Sequence, residues 1–342
     1  TPPAHPPPLT MAGEVLGVVG KLMQGFFLVM CFASVGVGVY YTYVVSEEVA
    51  RRASQVASYP TFVHLLPSLG YAALLTAARW CASKYLLAPL STRFLSAHKQ
   101  EAKHISKFCD SAFQLVYFAI TAPLLWNMLI NMPESDNYLP PALGGSGVTA
   151  NAWTHLPLHY AISPAFKTFY LVSLGFHIQS IVYHVLFQDS RSDFVEMLAH
   201  HLVTIFLIAG SFVGNRPRIG LLVILVHDFP DIFVFAAKLG ANTPSTTFTL
   251  SAYVAMLASW GYMRLYVYPF VVIVSSVTES VDVSTVERVV LNGLLMFLQI
   301  LHVYWYALFL EMGYHFLSTG ETVDKQSLEA DDDNDASKAK AE

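Results

Sequence analysis

The sequence has little charge and little cysteine. Of its 342 residues, 13% are charged and 54% are hydrophobic, and the mean hydropathy is +0.49. A soluble globular domain usually has about 25% charged residues, so the composition excludes an ordinary soluble protein and indicates a polytopic membrane protein. The three cysteines, Cys31, Cys81 and Cys109, include no CxxC pair. No disulfide framework is therefore expected, and the thiols are predicted to be buried.

The sequence also lacks an excess of basic residues. Its formal charge of −5 comes from 24 acidic and 19 basic side chains, and eight of the acids and three of the bases lie in residues 321–342. The rest of the chain is neutral. A nucleic-acid-binding protein needs a basic surface, so that class of function is excluded.

Long apolar segments occupy most of the chain. A helix needs about 20 apolar residues to cross the hydrocarbon core of a bilayer. The sequence predicts an all-α polytopic membrane protein with about eight transmembrane helices, over residues 22–45, 61–83, 110–131, 164–187, 194–212, 218–238, 247–275 and 289–317.

The orientation follows from the bias of Lys and Arg toward cytosolic loops. The connector after the second predicted span holds five basic residues: Lys84, Arg93, Lys99, Lys103 and Lys107. Placing it in the cytosol puts the loops 132–163 and 276–288 in the lumen and both termini in the cytosol. Residues 1–20, which are rich in proline at their start, are predicted to be disordered. Lys338 and Lys340 form a KxKxx pattern, typical of retrieval to the endoplasmic reticulum.

Two adjacent predicted spans hold most of the ionisable side chains in the apolar segments. The fifth carries the pair His200-His201, and the sixth carries His227, Asp228 and Asp231. Because only a short loop separates these spans, we expect an antiparallel hairpin in which the histidine pair faces the other three residues. His227 and Asp231 are i,i+4 neighbours, so one helix face presents an imidazole and carboxylates together. Such groups are costly in a bilayer, which makes them candidates for a functional site.

This combination of residues suits acyl transfer. A histidine can take a proton from an attacking amine or hydroxyl, or serve as the nucleophile, while a carboxylate orients its ring. A di-iron oxygenase or desaturase, the other class considered, would need repeated HxxxH and HxxHH boxes, and only His155 and His159 have such a spacing. A retinal protein would need a lysine in the last span, which contains none. The remaining intramembrane or loop histidines are interpreted as hydrogen-bonded core residues: His64, His155, His159, His177, His184 and His302.

Four further polar residues leave alternatives open. Asn215 and Arg218 can form a turn with an interfacial arginine or can have a functional role, and Lys238 can reach the membrane interface or bind a phosphate. Arg264 lies in the middle of the seventh predicted span. A buried guanidinium needs a partner, and Asp228 or Asp231 are the expected counter-ions.

Residues 191–238 closely resemble the Lag1 motif of the ceramide synthases, within the TLC-domain family. KFCDSAF, beginning at Lys107, is similar to the start of a TLC domain, and LQILHVYWYALFLEM, which contains Trp305, is similar to its last helix. Phe235 stands where the family commonly has Glu, and Phe212 where it has Tyr or Trp. The Lag1 resemblance is carried by these residues: Arg191, Asp193, Phe194, Met197, His200, His201, Thr204, Ser211, Asn215, Arg218, Gly220, His227, Asp228, Asp231 and Lys238.

The resemblance implies a TLC domain over residues 107–317, built as a six-helix barrel. It follows two N-terminal spans with their basic connector (21–106) and precedes an acidic cytosolic tail (318–342). The resemblance also implies location in the endoplasmic reticulum membrane. Residues 276–288 resemble the loop that determines acyl-chain length in this family. Exchanging residues 277–287 for a homologue's loop is therefore expected to change the length of the preferred acyl chain.

The activity implied is transfer of a fatty acyl chain from acyl-CoA, as co-substrate, to the amino group of a sphingoid base, with no metal and no cofactor. His200 and His201 would transfer the acyl group, and His227, Asp228 and Asp231 would orient them and handle the proton. Asn215, Arg218, Lys238, Arg264 and Trp305 would support the site. A homo- or heterodimer or a small membrane subunit is also implied. The alternative is a non-catalytic TLC-domain protein that handles lipids or associates with a translocon.

Overall fold

The computed structural model describes residues 11–95, 102–131, 138–155, 158, 161–187, 193–281 and 283–319, and the side chains of these residues from Gly25 onward. Every regular element in these ranges is helical, which confirms the all-α prediction. The predicted retrieval pattern at Lys338 and Lys340 and the first motif residue, Arg191, lie outside the described residues. The α-helices of the described ranges are α1 (Met11–Gln55), α2 (Pro67–Ala82), α3 (Ala88–Phe94), α4 (Ala102–Asn131), α5 (Pro164–Leu186), α6 (Phe194–Val213), α7 (Pro217–Gly240), α8 (Thr246–Trp260), α9 (Val274–Thr278) and α10 (Thr285–Thr319).

Among the described residues, seven helical segments are long and apolar enough to cross a membrane. They correspond to the first predicted span and to the third through the eighth. The chain is therefore an all-helical, multi-pass membrane protein. The second predicted span, 61–83, is not among the seven, so the count is one lower than expected. In the structure this stretch begins with a short 3₁₀ turn at Phe62–Leu65, and α2 follows with a buried Arg79.

The first helix begins earlier than expected. Residues 11–20, predicted to be disordered with the proline-rich start, form the first turns of α1. The physical reason is that no proline follows Pro8 in this part of the chain, so the helix can extend backward from the apolar span without losing a backbone hydrogen bond.

Six helical segments of the TLC-like region form a closed ring. In order around it, α4 contacts α5, α5 contacts α6, α6 contacts α10, α10 contacts α8 and the helical segment after it, and these contact α7, which returns to α4. The contact of α4 with α5 is a stack of Tyr117 on Phe176, with ring centroids 3.6 Å apart. The ring buries the polar faces of its members toward one another, as is required of ionisable side chains in a membrane.

The turn between α6 and α7 is short because local chemistry ends one helix and begins the next. Asn215 adopts a left-handed conformation with φ of 55°, which asparagine tolerates better than most residues. Pro217 then occupies the first turn of α7, where its missing N–H costs no helical hydrogen bond. The two helices consequently run antiparallel, as the sequence predicted.

The helix after Trp260 is wound more loosely than an α-helix. Gly261–Ile273 is a π-helical segment that joins α8 to α9 without a break and contains Pro269. π-Helical segments are rare in proteins, but those that occur are frequently at functional sites. Their wider winding changes the directions in which side chains point. Here the segment carries Arg264 and Tyr268 into the ring.

The helices α1 and α2 pack outside the ring. On α1, the Tyr41 hydroxyl donates a hydrogen bond to the Gly210 carbonyl of α6. On α2, Ser68 lies so close to α5 that a Cβ atom added at Gly175 would be 2.8 Å from its carbonyl oxygen. Arg79 forms an ion pair with Asp110 of α4, and its guanidinium lies over the Tyr183 ring of α5.

Candidate active site

On α6, His200 faces the last helix of the ring, whereas the His201 ring lies 5.7 Å from the His184 ring of α5. The His200 and His201 ring centroids are 5.6 Å apart, and His200 meets the Trp305 ring of α10 edge-on at 5.4 Å. Trp305 is 5% exposed, so it walls this side of the pair against lipid. The structure therefore brings Trp305 to the predicted histidines.

His227 has a defined tautomer because of one hydrogen bond. Its Nδ1 lies 2.7 Å from the Val223 carbonyl oxygen of the preceding helical turn, and a carbonyl can only accept. Nδ1 therefore carries the proton, and in the neutral ring Nε2 has a free lone pair. That Nε2 is buried without a hydrogen-bond partner among the described residues, so it is available to a substrate.

Two residues from other helices enclose the His227 ring. Tyr268 of the π-helical segment meets it edge-on with centroids 4.9 Å apart, and His302 of α10 lies at 4.8 Å. Tyr268 donates its hydroxyl to the Leu295 carbonyl, and Trp260 donates its indole N–H to the His302 carbonyl. These bonds fix the wall of the site to the backbone of α10.

Arg264 supplies a positive charge beside the carboxylates. Its Nη2 donates to Asp231 Oδ1 at 2.7 Å and to the carbonyl oxygen of His227 at 2.6 Å. The guanidinium carbon lies 4.0 Å from the centre of the Trp260 ring. The expected ion pair is thus present, and of the two candidate counter-ions it is Asp231 that touches the arginine.

Asp228 lines a cavity at the centre of the ring. It is 3% exposed, and the cavity wall also includes His177 of α5, Thr204 of α6 and His227. We call this the inner cavity. His200 and His227 lie within electrostatic reach of each other across the same region. Polar side chains from α5, α6 and α7 thus line one small cavity, whose remaining wall is apolar.

A second, mostly apolar cavity continues from the first toward the 276–288 loop. This outer cavity shares four apolar residues with the inner one and ends among residues near the loop, which include Ser276, Ser280 and Val283. The two cavities therefore share part of their walls, and His177, His227 and Asp228 border only the inner one. The shared residues are Leu207, Ile208, Val223 and Ile224.

The other predicted supporting residues do not reach the histidines. Asn215 forms the α6–α7 turn, and Arg218 donates to the Asn151 carbonyl oxygen at 2.8 Å, which anchors the preceding loop. Lys238 lies at the opposite end of α7, near enough to Asp231 to interact electrostatically and 5.1 Å from the Phe235 ring. These positions agree with the structural role for Asn215 and Arg218, and their functional role stays a prediction.

The interpretation of the remaining histidines as hydrogen-bonded core residues holds for some and fails for others. His184 bonds the Phe194 carbonyl, and His64 accepts from the Thr61 amide. His302 is fully buried with neither ring nitrogen hydrogen-bonded among the described residues, and His155 is exposed. His177 lines the inner cavity. His159 lies outside the described residues.

Sequence reasoning missed His302, Tyr268 and Trp260 as members of the site. They stand on helices distant in sequence from the histidine pair, and spacing within one helix does not indicate which helices of a ring are neighbours. The spacing of His302 and Trp305 at i,i+3 was the one available signal that both face the same way. In the described part of the chain, no group of three or more His, Cys, Asp or Glu side chains could hold a metal ion.

Comparison with known proteins shows the family of the chain. The family model described as the TLC domain matches residues 107–311. The chain belongs to the TLC-domain family. Within it, the chain is 26% identical to a ceramide synthase of Arabidopsis thaliana over 222 residues, which cover 63% of this chain and 69% of that protein.

Two further relatives show how far the likeness of this TLC-domain protein extends. Alternaria stem canker resistance protein 1 of Solanum lycopersicum is 26% identical over 297 residues, covering 81% of this chain and 94% of the relative. Ceramide synthase 4 of Bos taurus is 30% identical over 217 residues, covering 63% of this chain and 52% of the relative. The site residues from His177 to His302 all lie in the matched TLC domain.

Proposed function

We propose that this protein is a ceramide synthase, an acyltransferase that joins a fatty acyl chain from acyl-CoA to the amino group of a sphingoid base. The observation that carries the proposal is that His227 and Asp228 line the inner cavity while His200, of the histidine pair, lies within electrostatic reach of His227. Relatives named ceramide synthase support it, since they match the same domain.

The chemistry needs a base and a stabilised acyl carbon. The sphingoid amine must lose a proton before its nitrogen attacks the thioester carbonyl, after which the C–N bond forms and the C–S bond breaks. A buried, neutral imidazole can accept that proton, or can first take the acyl group itself. Both routes use the histidine pair, and the proposal assigns the transfer to His200 and His201 without choosing the nucleophile.

Three residues of α7 are proposed to orient the histidine pair and to handle the proton: His227, Asp228 and Asp231. The bond from His227 Nδ1 to Val223 leaves Nε2 as an acceptor on the site side. Arg264 is proposed to act indirectly, by neutralising Asp231 and fixing the His227 backbone. An arginine that binds two groups of one helix turn in this way keeps the turn rigid in a low-dielectric interior.

The path formed by the inner and outer cavities is the proposed site for the fatty chain. The end bordered by His177, His227 and Asp228 would place the thioester carbonyl beside the histidines, and the apolar walls would hold the methylene groups. The loop 276–288 would then limit the length of chain accepted, because Ser276, Ser280 and Val283 border the far end.

The transfer as proposed uses acyl-CoA as co-substrate and needs no metal or cofactor. We further propose that the protein works in the endoplasmic reticulum membrane with a cytosolic C-terminus, so that acyl-CoA reaches the histidines from the cytosol. Membrane lipids surround it, and assembly as a homo- or heterodimer or with a small membrane subunit is part of the proposal.

The direct test is N-acylation of a sphingoid base by the purified full chain, supplied with acyl-CoAs of several lengths. His200→Ala, His201→Ala and Asp228→Ala would be compared with His155→Asn, a control at an exposed histidine whose φ of 63° suits asparagine. We expect amide formation by the parent and the control and its loss in the three site variants, with all proteins equally monodisperse.

A well-folded parent that is inactive with every donor and base would contradict the proposal. So would site variants as active as the parent. Either result would favour the alternative, a non-catalytic TLC-domain protein that handles lipids or associates with a translocon, because such a protein needs the ring but not the histidines.

A further inference from the structure

The inner face of α5 carries a line of polar side chains. Ser173, His177, Ser180 and His184 follow one another at spacings of i, i+4, i+7 and i+11, which place them on one helix face. In a membrane-crossing helix, each of these groups has a cost unless it is paired or hydrated. The fold therefore keeps this line of polar side chains although their placement in a membrane is unfavourable.

Most of these groups have no protein partner. Ser173 Oγ, His177 Nδ1 and Ser180 Oγ are buried and make no hydrogen bond among the described residues. Across from them on α6, His201 Nδ1 and Thr204 Oγ1 are in the same condition. Buried polar groups are nearly always hydrogen-bonded to protein or to ordered water, so a cluster of such atoms indicates a path that water can occupy.

The line connects the inner cavity with the ends of α5 and α6. His177 and Thr204 both line that cavity. One turn farther along α5 is Ser180, and the next is His184, whose ring lies 5.7 Å from that of His201. His184 Nε2 donates to the Phe194 carbonyl, at the first residue of α6. This is the end of both helices that the charge bias places on the cytosolic side.

The proposed reaction produces a proton that must leave this space. A protonated amine brings three N–H protons: the amide keeps one, the CoA thiolate takes one as the C–S bond breaks, and the third is released. We propose that the line from His177 through Ser180 to His184, with water between its members, carries this third proton from the inner cavity to the cytosolic end of the ring. The inference rests on the proposed function, because it is that reaction which releases the proton.

His177 is the group that would receive the proton, and Ser180 and His184 would pass it on. Histidine and hydroxyl chains serve as proton relays in membrane proteins because each member can donate and accept in turn. Although His177 lies within electrostatic reach of His200, His201 and His227, it belongs to α5. Its proposed task is therefore separable from the acyl transfer assigned to the histidine pair.

The test compares steady-state acylation by the purified full chain and four variants. His177→Phe removes the acceptor at similar volume, Ser180→Ala removes one hydroxyl, and Ser180→Thr retains it. Thr168→Ala is the matched control, since it removes an exposed hydroxyl from the same helix. Loss of a general base typically costs on the order of 100-fold or more in rate, so we expect a fall of about 100-fold in kcat for His177→Phe.

Ser180→Ala should lower kcat less, Ser180→Thr should restore it, and Thr168→Ala should match the parent. Added imidazole should recover part of the kcat of a fifth variant, His177→Ala, which a merely structural role would not allow. Parental kcat in His177→Phe and Ser180→Ala would overturn the relay. If His177→Phe does not fold, the Ser180 pair and the imidazole rescue decide. An inactive parent would instead refute the proposed function.

Discussion

Arg264 binds Asp231 at 2.7 Å and the backbone carbonyl of His227 at 2.6 Å with the same guanidinium nitrogen. One side chain of the π-helical segment thereby holds both ends of a single turn of α7. Pro230 lies within that turn and lacks the N–H that would bond the Val226 carbonyl, so the helix is locally weakened there. The arginine supplies a polar contact where the helix has lost one of its own.

We predict that Arg264→Met destabilises the protein and abolishes acylation. Removing one partner of a buried ion pair typically costs about 3–5 kcal/mol, because the other charge stays buried and unpaired. The double variant Arg264→Met with Asp231→Leu should lose less unfolding free energy than the two single variants lose in sum. The measurement is the free energy of unfolding in an SDS titration, with the exposed Arg93→Met as control. Simple additivity would contradict the pairing.

We predict that Ile208→Phe shortens the acyl chain that the protein accepts. Ile208 lines both cavities, so a larger ring at this position would narrow the path between them. The check is the acyl-CoA profile of the variant beside that of Val29→Phe, a control at a side chain that is 65% exposed. The prediction fails if Ile208→Phe keeps the parental profile while remaining active.

A buried charge cluster joins α1 to the ring, and we predict that Glu287→Ala disrupts it. Glu287 is fully buried and lies 3.2 Å from Arg52 and 2.8 Å from Arg216. Its loss takes the carboxylate from the buried Arg216 and leaves Arg52 paired with Glu48, which should cost about 3–5 kcal/mol of unfolding free energy.

The control for this cluster is the pair of Arg51 with Glu48, in which the arginine side chain is 58% exposed. Exposed pairs contribute about 0–1 kcal/mol, so Arg51→Ala should change the unfolding free energy little. Because the 276–288 loop ends at this cluster, the acyl profile of Glu287→Ala should also broaden. Equal stabilities of the two variants would show that the cluster does not hold α1 to the ring.

We predict that Gly220→Ala is destabilising and that Tyr170→Phe compensates for it in part. A Cβ atom at Gly220 would lie 1.5 Å from the Tyr170 hydroxyl oxygen, so α5 and α7 would have to move apart. Overpacking of this kind costs about 1–3 kcal/mol.

A double-mutant cycle measures the compensation, because removing the hydroxyl relieves the closest contact. Gly36→Ala, where nothing lies within 4 Å of an added Cβ, is the control and should not destabilise the protein. If the effects of the two substitutions on the unfolding free energy are independent, the close approach of α5 and α7 is not the cause of the destabilisation by Gly220→Ala.

Much of the site could be predicted from the sequence because ionisable residues are rare in apolar segments. His200, His201, His227, Asp228 and Asp231 were identified in this way, and Arg264 was expected to find a carboxylate. Which carboxylate it finds could not be predicted, since Asp228 and Asp231 stand on adjacent faces of one helix. The π-helical winding after Trp260 decides this, and it leaves no periodic signal in the sequence.

The second predicted span shows the limit of hydropathy as a guide. Residues 61–83 are apolar on average, but the helix there begins beside the middle of α5 and carries Arg79 into a contact with Asp110. A segment can therefore be apolar enough to be predicted as a span and still carry a buried charged residue that is paired with a neighbouring helix.

The sequence by itself determined the all-helical class, seven of its eight predicted spans, and the hairpin that brings the histidine pair opposite His227. These follow from the thickness of a bilayer and from the short α6–α7 turn, which are local constraints. Only the tertiary structure decided that α10 places His302 against His227, that α5 brings His177 to the same cavity, and that α1 is tied to the ring by Glu287. Such contacts depend on how side chains of helices distant in sequence pack around a closed ring, and neither periodicity nor hydropathy encodes the order of that ring.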